Sequence, residues 1–322
     1  MPTAARRVLA LLVLAPAAAL ADGGLLSVAD QNPLIRGAYL PLPPMAGAPA
    51  AGWGLAAGLQ WSNTVNLEQS ATEQLAVDEE TAELDLELAR AAGAWRVRAT
   101  LPVLYRGGGV LDAPINDWHA LLGLPRGDRP SVADNAYRIA YANAAGVRLD
   151  AEHGTALGDL ALEAGRALID SPGARLALFA GVELPTGERA RLSGDAAVDA
   201  ALWLEGGAEL GARFALDGRA GLTRTGGSLP LPAERHVAFG TLALAWHAGA
   251  RTDLLAQLDG HTRVVAGSDL KFLSHAVILT VGERYRLASG SLLELGLSED
   301  VEVDHSPDVS FHLGWRWPLG AR

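Results

Sequence analysis

The chain has 322 residues, 49% of them hydrophobic, no cysteine, and a formal net charge of −11. Disulfides are excluded, and the acidic balance makes nucleic acid a poor partner. The length fits one large domain, or a smaller one with appendages.

The first element is an address. Arg6 and Arg7 precede an apolar run over 8–20 that closes on Ala19-Leu20-Ala21, the charged, hydrophobic and small-residue parts of a secretory signal. Residues 1–21 are read as a signal peptide cleaved after Ala21, because the run is shorter than the roughly 20 residues a spanning helix needs. Without Arg6 and Arg7 the 26 basic residues fall to 24 against 37 acidic ones, a net of −13. Lys271 is the only lysine. Arginine bonds carboxylates and phosphates with two prongs, which suits ion pairs inside a barrel or lipopolysaccharide phosphates; a biased genome gives the same preference.

Residues 22–51 read as an extended periplasmic lead-in. No charge occurs over 37–67, but Pro41, Pro43, Pro44 and Pro49 forbid a continuous spanning helix there. Gln31-Asn32-Pro33-Leu34 and Leu40-Pro41-Leu42-Pro43 either tuck against the barrel mouth or belong to a loose tail.

From residue 52 onward a two-residue period recurs. Strand one, 53–63, puts Trp53, Leu55, Leu59 and Trp61 on one face. Strand two, 81–90, alternates Leu84, Leu86 and Leu88 with Glu83, Asp85 and Glu87. Strand three, 95–103, alternates Trp95, Val97 and Leu101 with Arg96, Arg98 and Thr100. A tight turn over 91–94 is expected to set Glu87 opposite Arg98. Further strands are read at 157–168, 174–184, 195–205, 213–223, 236–247, 252–261, 273–286, 291–299 and 308–317, twelve in all. The turn after Glu205 is ambiguous, and 236–247 mixes its faces. In the closing strand Val309, Phe311, Leu313, Trp315 and Trp317 share one wholly apolar face, opposite Ser310, His312, Gly314 and Arg316. Short turns alternate with long links, among them 64–80 and 104–156. An even strand count, strands of about ten residues and charge-free outer faces define the expected fold. It is an all-β chain forming a transmembrane antiparallel β-barrel of bacterial outer-membrane type over 52–322.

The inner faces are acidic. Pore-lining candidates are Glu83, Asp85, Glu87, Arg96, Arg98, Asp159, Glu163, Glu183, Asp199, Asp253, Asp259 and Glu294, with Glu205, Asp217, Asp300, Arg175, Arg219 and Arg316 on the same faces. They fit a water-filled lumen favouring cations or polar solutes, and equally a closed lumen in which carboxylates and guanidiniums pair. The 104–156 link is too long to be mere connection. Within it Asn116 is placed to cap a short helix and Gly123 to end it. Trp118, Leu121 and Leu122 would then form a constriction packed on or into the barrel mouth, or a self-packed surface loop.

Glu302, Asp304, His305 and Asp308 offer donors for a divalent ion, yet without defined ligand spacing they read as a solvated acidic loop. Ser274-His275 and Asp304-His305-Ser306 are the nearest approaches to a hydrolase site, and neither is a recognised motif. No cofactor fingerprint is present.

Gln31-Asn32-Pro33-Leu34, the stretch Trp118-His119-Ala120-Leu121-Leu122-Gly123-Leu124-Pro125, Leu184-Pro185-Thr186-Gly187 before Ser193-Gly194-Asp195, and the closing strand together resemble a proteobacterial barrel family known as a domain of unknown function. The resemblance implies an outer-membrane barrel and supplies no substrate or catalytic residues. The combined expectation is a passive channel or transporter for a small solute in the outer membrane of a Gram-negative bacterium. Its partners would be membrane lipid, lipopolysaccharide and the barrel assembly machinery. A surface hydrolase and a closed structural or adhesive barrel are the alternatives.

Overall fold

The computed structural model describes residues 24–43, 52–123, 127–171, 173–227 and 231–319, so the expected signal peptide lies outside the described residues. Twelve strands close an antiparallel barrel. They are β1 (Gly52–Gln69), β2 (Glu73–Ala92), β3 (Trp95–Gly107), β7 (Leu160–Ser171), β8 (Ala174–Leu184), β9 (Asp199–Leu210), β10 (Phe214–Arg224), β11 (His236–His247), β12 (Thr252–His261), β13 (Ala276–Arg286), β14 (Leu292–Asp300) and β15 (Val309–Leu319). Between β3 and β7 lie helix α1 (Asp112–Leu122) and three short strands, β4 (Arg138–Asn143), β5 (Arg148–Asp150) and β6 (Gly154–Leu157).

Closure is made by β15 against β1, in register from Trp53 opposite Leu319 to Asn63 opposite Val309. The apolar face of β15 points outward as its period requires, with Phe311, Leu313 and Trp315 exposed, while Ser310, His312 and Arg316 are buried on the lumenal side. The same alternation leaves Leu84, Leu86, Leu88, Leu204, Leu242, Leu258, Val281 and Leu295 on the outer wall. Leucine and valine exposed all round a barrel are stable only against hydrocarbon. Trp53, Trp95, Phe214, Trp246, Tyr285 and Trp315 are exposed toward the short-turn end, where an aromatic girdle meets headgroups. Arg90 lies over the Trp53 ring at 5.1 Å and Arg166 over Trp95 at 5.8 Å, a further polar edge to that belt.

Several boundaries differ from the sequence expectation. β1 runs on to Gln69 and β2 begins at Glu73, so the expected 64–80 link is two strands meeting in a tight turn. The pairing of Asp78 to Glu73 with β4 keeps that extension in a sheet above the barrel. β9 continues through Gly206 to Leu210, resolving the ambiguous turn. Glu87 is opposite Thr100, and Arg98 is opposite Ala89, because β2 and β3 pair right down to Ala92 and Trp95 around a shorter turn than expected. Glu87 and Arg98 are nonetheless diagonal neighbours, 3.5 Å apart.

Helix α1 starts at Asp112, so Asn116 falls inside it and does not cap it. Gly123 does end it, in the left-handed region at φ 68°, its N–H donating to His119 O. The helix lies against the barrel's outer wall, where Leu111 and Ile115 cover Val309, Trp61 and Leu297. Trp118 is 51% exposed and Leu121 77%, which removes them as lumenal constriction residues; the Leu122 side chain lies outside the described residues. The helix is held by polar bonds to outward-facing groups of β1 and β2. Asn63 Nδ2 donates to Asp112 Oδ1 at 3.0 Å, and Glu80 Oε2 accepts from the backbone N–H groups of Val110 and Leu111 at 2.8 and 2.7 Å.

Candidate functional site

The lumen is filled from within. Residues 24–43, read from the sequence as a periplasmic lead-in, enter the barrel, turn over 33–38 beneath the outer loops and return, so both limbs face the short-turn end. Proline at 33, 41 and 43 keeps the segment from spending its N–H and C=O groups on a helix, which leaves them for the wall. Ile35 N–H to Asn32 O at 3.3 Å and Ala38 N–H to Ile35 O at 2.9 Å make the turn itself.

The ascending limb is bonded mainly by neutral amides of the wall. Gln257 accepts from Leu26 N–H at 2.7 Å and donates to Leu26 O at 3.1 Å, so one side chain satisfies both backbone polar groups of one residue. Gln60 accepts from Ala29 N–H at 3.0 Å, and Arg284 donates to Gly24 O at 2.9 Å. Asp30 meets His261 at 3.0 Å and Ser306 at 2.9 Å, and Asn32 Nδ2 donates to Phe272 O at 2.5 Å.

The descending limb is held by charge. Arg36 pairs with Glu83, its Nε 2.8 Å from Oε2. Tyr39 makes three bonds: its N–H to Asp199 at 2.9 Å, its hydroxyl to Glu163 at 2.6 Å, and its carbonyl from Thr223 at 2.6 Å. Arg219 donates to Pro41 O and Arg98 to Leu42 O. The Tyr39 ring packs among Phe179, Trp203, Phe239 and Ala201 inside the barrel, with Phe179 stacked on Trp203 at 5.4 Å.

The turn carries the apolar load. Leu34, Ile35 and Ala38 are buried in one cluster with Ile139 and Tyr141 of β4, Leu192, Leu231, Val264, Val265, Leu270, Phe272 and Leu273. The outer loops therefore form a lid, and the part of the 104–156 link that builds it is β4 and β5. In the 185–195 loop, Gly187 N–H at 2.6 Å and Asp195 N–H at 3.3 Å bind Asp159. Burial lifts the Asp159 and Asp195 carboxyls above their usual range; the Gly187 and Asp195 N–H groups oppose the rise at Asp159, and the Ala197 N–H opposes it at Asp195.

The sequence-predicted pore residues sit on inward-facing positions, and most of their polar groups are committed. Glu83, Glu163, Asp199 and Arg98 bind the plug. Asp85 is buried beside them, and Glu183 and Arg96 are half-buried on the same side. Asp259 accepts from Thr241 at 2.6 Å and from Gln257 at 2.8 Å. Glu294 bonds Arg284 at 2.8 Å, Glu87 reaches Arg98, and Asp253 holds His247 at 2.7 Å near the short-turn rim. Asp159 is spent on the outer loop. The water-filled acidic lumen is thus not what this state holds; paired charge and threaded chain occupy it.

Sequence reading missed Arg36, Tyr39, Gln60, Gln257 and the inward aromatics. A signal existed in strand 236–247, whose mixed faces arise because Val237 and Phe239 point inward against the loop cluster and the plug. The lone Arg36 in a nearly uncharged lead-in was the other.

Near the outer loops Ser274 Oγ does lie 3.1 Å from His305 Nδ1, but it donates to Lys271 O at 2.6 Å while His305 Nδ1 faces His275 O at 2.8 Å. The hydroxyl has no base waiting for its proton.

Fold and lumen together define a β-barrel of outer-membrane type, closed by its own N-terminal segment. The chain belongs to the family described as protein of unknown function (DUF3187), which it matches over residues 6–318. No curated protein matches the chain. Among solved structures it is similar to an outer membrane channel from Pseudomonas putida F1, at 13% identity, TM-score 0.55, covering 88% of this chain and 98% of that one. It is more distantly similar to the NanC porin (7% identity, TM-score 0.46, 83% and 100% covered) and to the toluene transporter TbuX of Ralstonia pickettii (9%, 0.41, 85% and 91%). The likeness to the channel is one of fold, and the two lower scores carry no argument.

Proposed function

We propose that the chain resides in the outer membrane of a Gram-negative bacterium and acts as a gated channel for a small solute, with residues 24–43 as the gate. The observation that carries this reading is the way the plug is held. Its backbone is bonded mostly by side chains of the wall, Gln60, Gln257, Arg98, Arg219, Asp199 and Thr223, rather than by a strand ladder. Each of those bonds is exchangeable for water, at a net cost of about 0.5–1.5 kcal/mol for the amide and hydroxyl side chains and about 1.5–3 kcal/mol for the charged ones. Withdrawal breaks no barrel pairing, since the ladder between β1 and β15 is complete without the plug. The similar fold of a solved outer membrane channel supports the same reading.

The test is planar-bilayer conductance of the refolded full chain beside a chain lacking residues 24–43. The gated channel predicts a mostly silent full chain with brief openings and a steadily conducting deletion. A silent deletion that still migrates as a folded barrel would favour the closed structural reading instead. Equal conductance of both chains would remove the segment as a gate.

A further inference from the structure

The outer loops bring together three donors that sequence spacing did not. His275 precedes β13, and Glu302 and His305 belong to the loop between β14 and β15; their donor atoms all lie within 4.8 Å of one another. His275 Nε2 is 3.0 Å and His305 Nε2 3.8 Å from Glu302 Oε2.

The scaffold is firm. Beyond the last named pair, Ile278 with Asp300, Val301 N–H still donates to Val277 O at 2.8 Å, so the ladder sets the spacing of His275 and Glu302. A turn with His305 N–H on Glu302 O at 3.2 Å, and Asp304 at φ 74°, folds His305 back over Glu302. His305 Nδ1 sits 2.8 Å from His275 O, an acceptor only, so that nitrogen carries the proton and Nε2 keeps its lone pair. Asp304 and Asp308, offered as donors by the sequence, are engaged with Lys271 at 3.2 Å and Arg129 at 2.7 Å.

We infer that His275, Glu302 and His305 form a surface site for one divalent transition-metal ion of the zinc class, which staples the 262–275 loop to the 301–308 loop. Two imidazoles and one carboxylate suit such an ion, whereas calcium and magnesium require all-oxygen shells. Zinc–ligand bonds of about 2.0–2.2 Å put neighbouring donors roughly 3.3–3.5 Å apart, which small side-chain rotations reach from the present positions. Half-exposed His275 and Glu302 leave a remaining position open to water. Both stapled loops also hold the plug, through Phe272 O and Ser306.

The experiment is calorimetric titration of the tag-free, refolded full chain with zinc chloride, paired with its thermal midpoint. One ion per chain and a raised midpoint are expected, with magnesium and calcium giving neither. H275A and E302Q should each lower zinc affinity by more than about 100-fold, beyond the 10–100-fold typical of outer-shell changes. H247A, at the opposite rim, should leave it unchanged. Heat-modifiable migration of each variant shows that the barrel is intact. Absence of saturable zinc binding, binding indifferent to H275A and E302Q, or binding that leaves the midpoint unmoved would each overturn the staple.

Discussion

Tyr39 concentrates the problem at the scale of one residue. Its hydroxyl is the partner of a buried Glu163 that also faces Arg98, while its N–H and carbonyl are held by Asp199 and Thr223. Tyr39→Phe keeps the ring in its aromatic nest and deletes only the hydroxyl. Leaving Glu163 one donor short costs about 1–3 kcal/mol, borne by the closed state alone. On a two-state gate that is a 5–150-fold gain in open probability, read as open time in single-channel recordings. Unchanged open time would show that the closed state does not rest on this bond. Glu294 makes the contrasting case, because it belongs to the wall and not to the gate. It lies between Arg284 at 2.8 Å and His312 at 3.8 Å, buried throughout. Glu294→Ala would strip the buried Arg284 guanidinium of a carboxylate bonded at 2.8 Å, a loss of up to about 3–5 kcal/mol. The expected outcome is a lower thermal midpoint for heat-modifiable migration, by several degrees.

At the scale of the element, the plug and the wall are shaped to each other, and one glycine shows it. A Cβ at Gly181 of β8 would stand 2.6 Å from the Tyr39 hydroxyl and 3.1 Å from Glu163 Cγ. Gly181→Val should therefore expel the descending limb and open the channel, and adding Tyr39→Ala should restore room and lower the open probability again. A Gly181→Val chain as silent as the parent would mean that the limb is not seated there in the membrane. This element also marks how far the sequence could be read. The strands were legible because a wall between hydrocarbon and polar interior imposes a period of two, and the spans 174–184, 236–247 and 252–261 were read to their ends. The inward placement of Glu83, Glu163 and Asp199 followed from the same period. The plug was not legible, since an extended, proline-broken segment has no period and many of its bonds are made over separations of more than 100 residues, as from Tyr39 to Asp199. Trp118 and Leu121 misled because an apolar face implies a cover without saying which: here Leu111 and Ile115 meet the barrel, and Trp118 and Leu121 are left outside.

For the whole molecule, the consequence of withdrawing the plug is electrostatic. The segment takes one cation and one anion with it, Arg36 and Asp30, and leaves behind a wall on which carboxylates outnumber guanidiniums. Glu79, Glu83, Asp85, Glu163, Asp199, Asp217, Asp259 and Glu294 remain buried inward, against Arg98, Arg106, Arg284 and Arg316. Glu83 and Asp199 lose the partners they had in the closed state, Arg36 and the Tyr39 N–H, and water takes their place. An open lumen of this kind focuses a negative potential along its length, so its current should be carried by cations. The measurement is the reversal potential of the chain lacking 24–43 under a salt gradient. Cation preference is expected, weakening as ionic strength rises because the Debye length falls from about 10 Å at 0.1 M to 3 Å at 1 M. Glu83→Gln with Asp85→Asn should move the reversal potential toward zero while the barrel stays folded, since its closure rests on backbone pairing between β1 and β15 and its outer belt on hydrocarbon. Anion preference would mean that the arginines, not the carboxylates, set the field once the plug is gone.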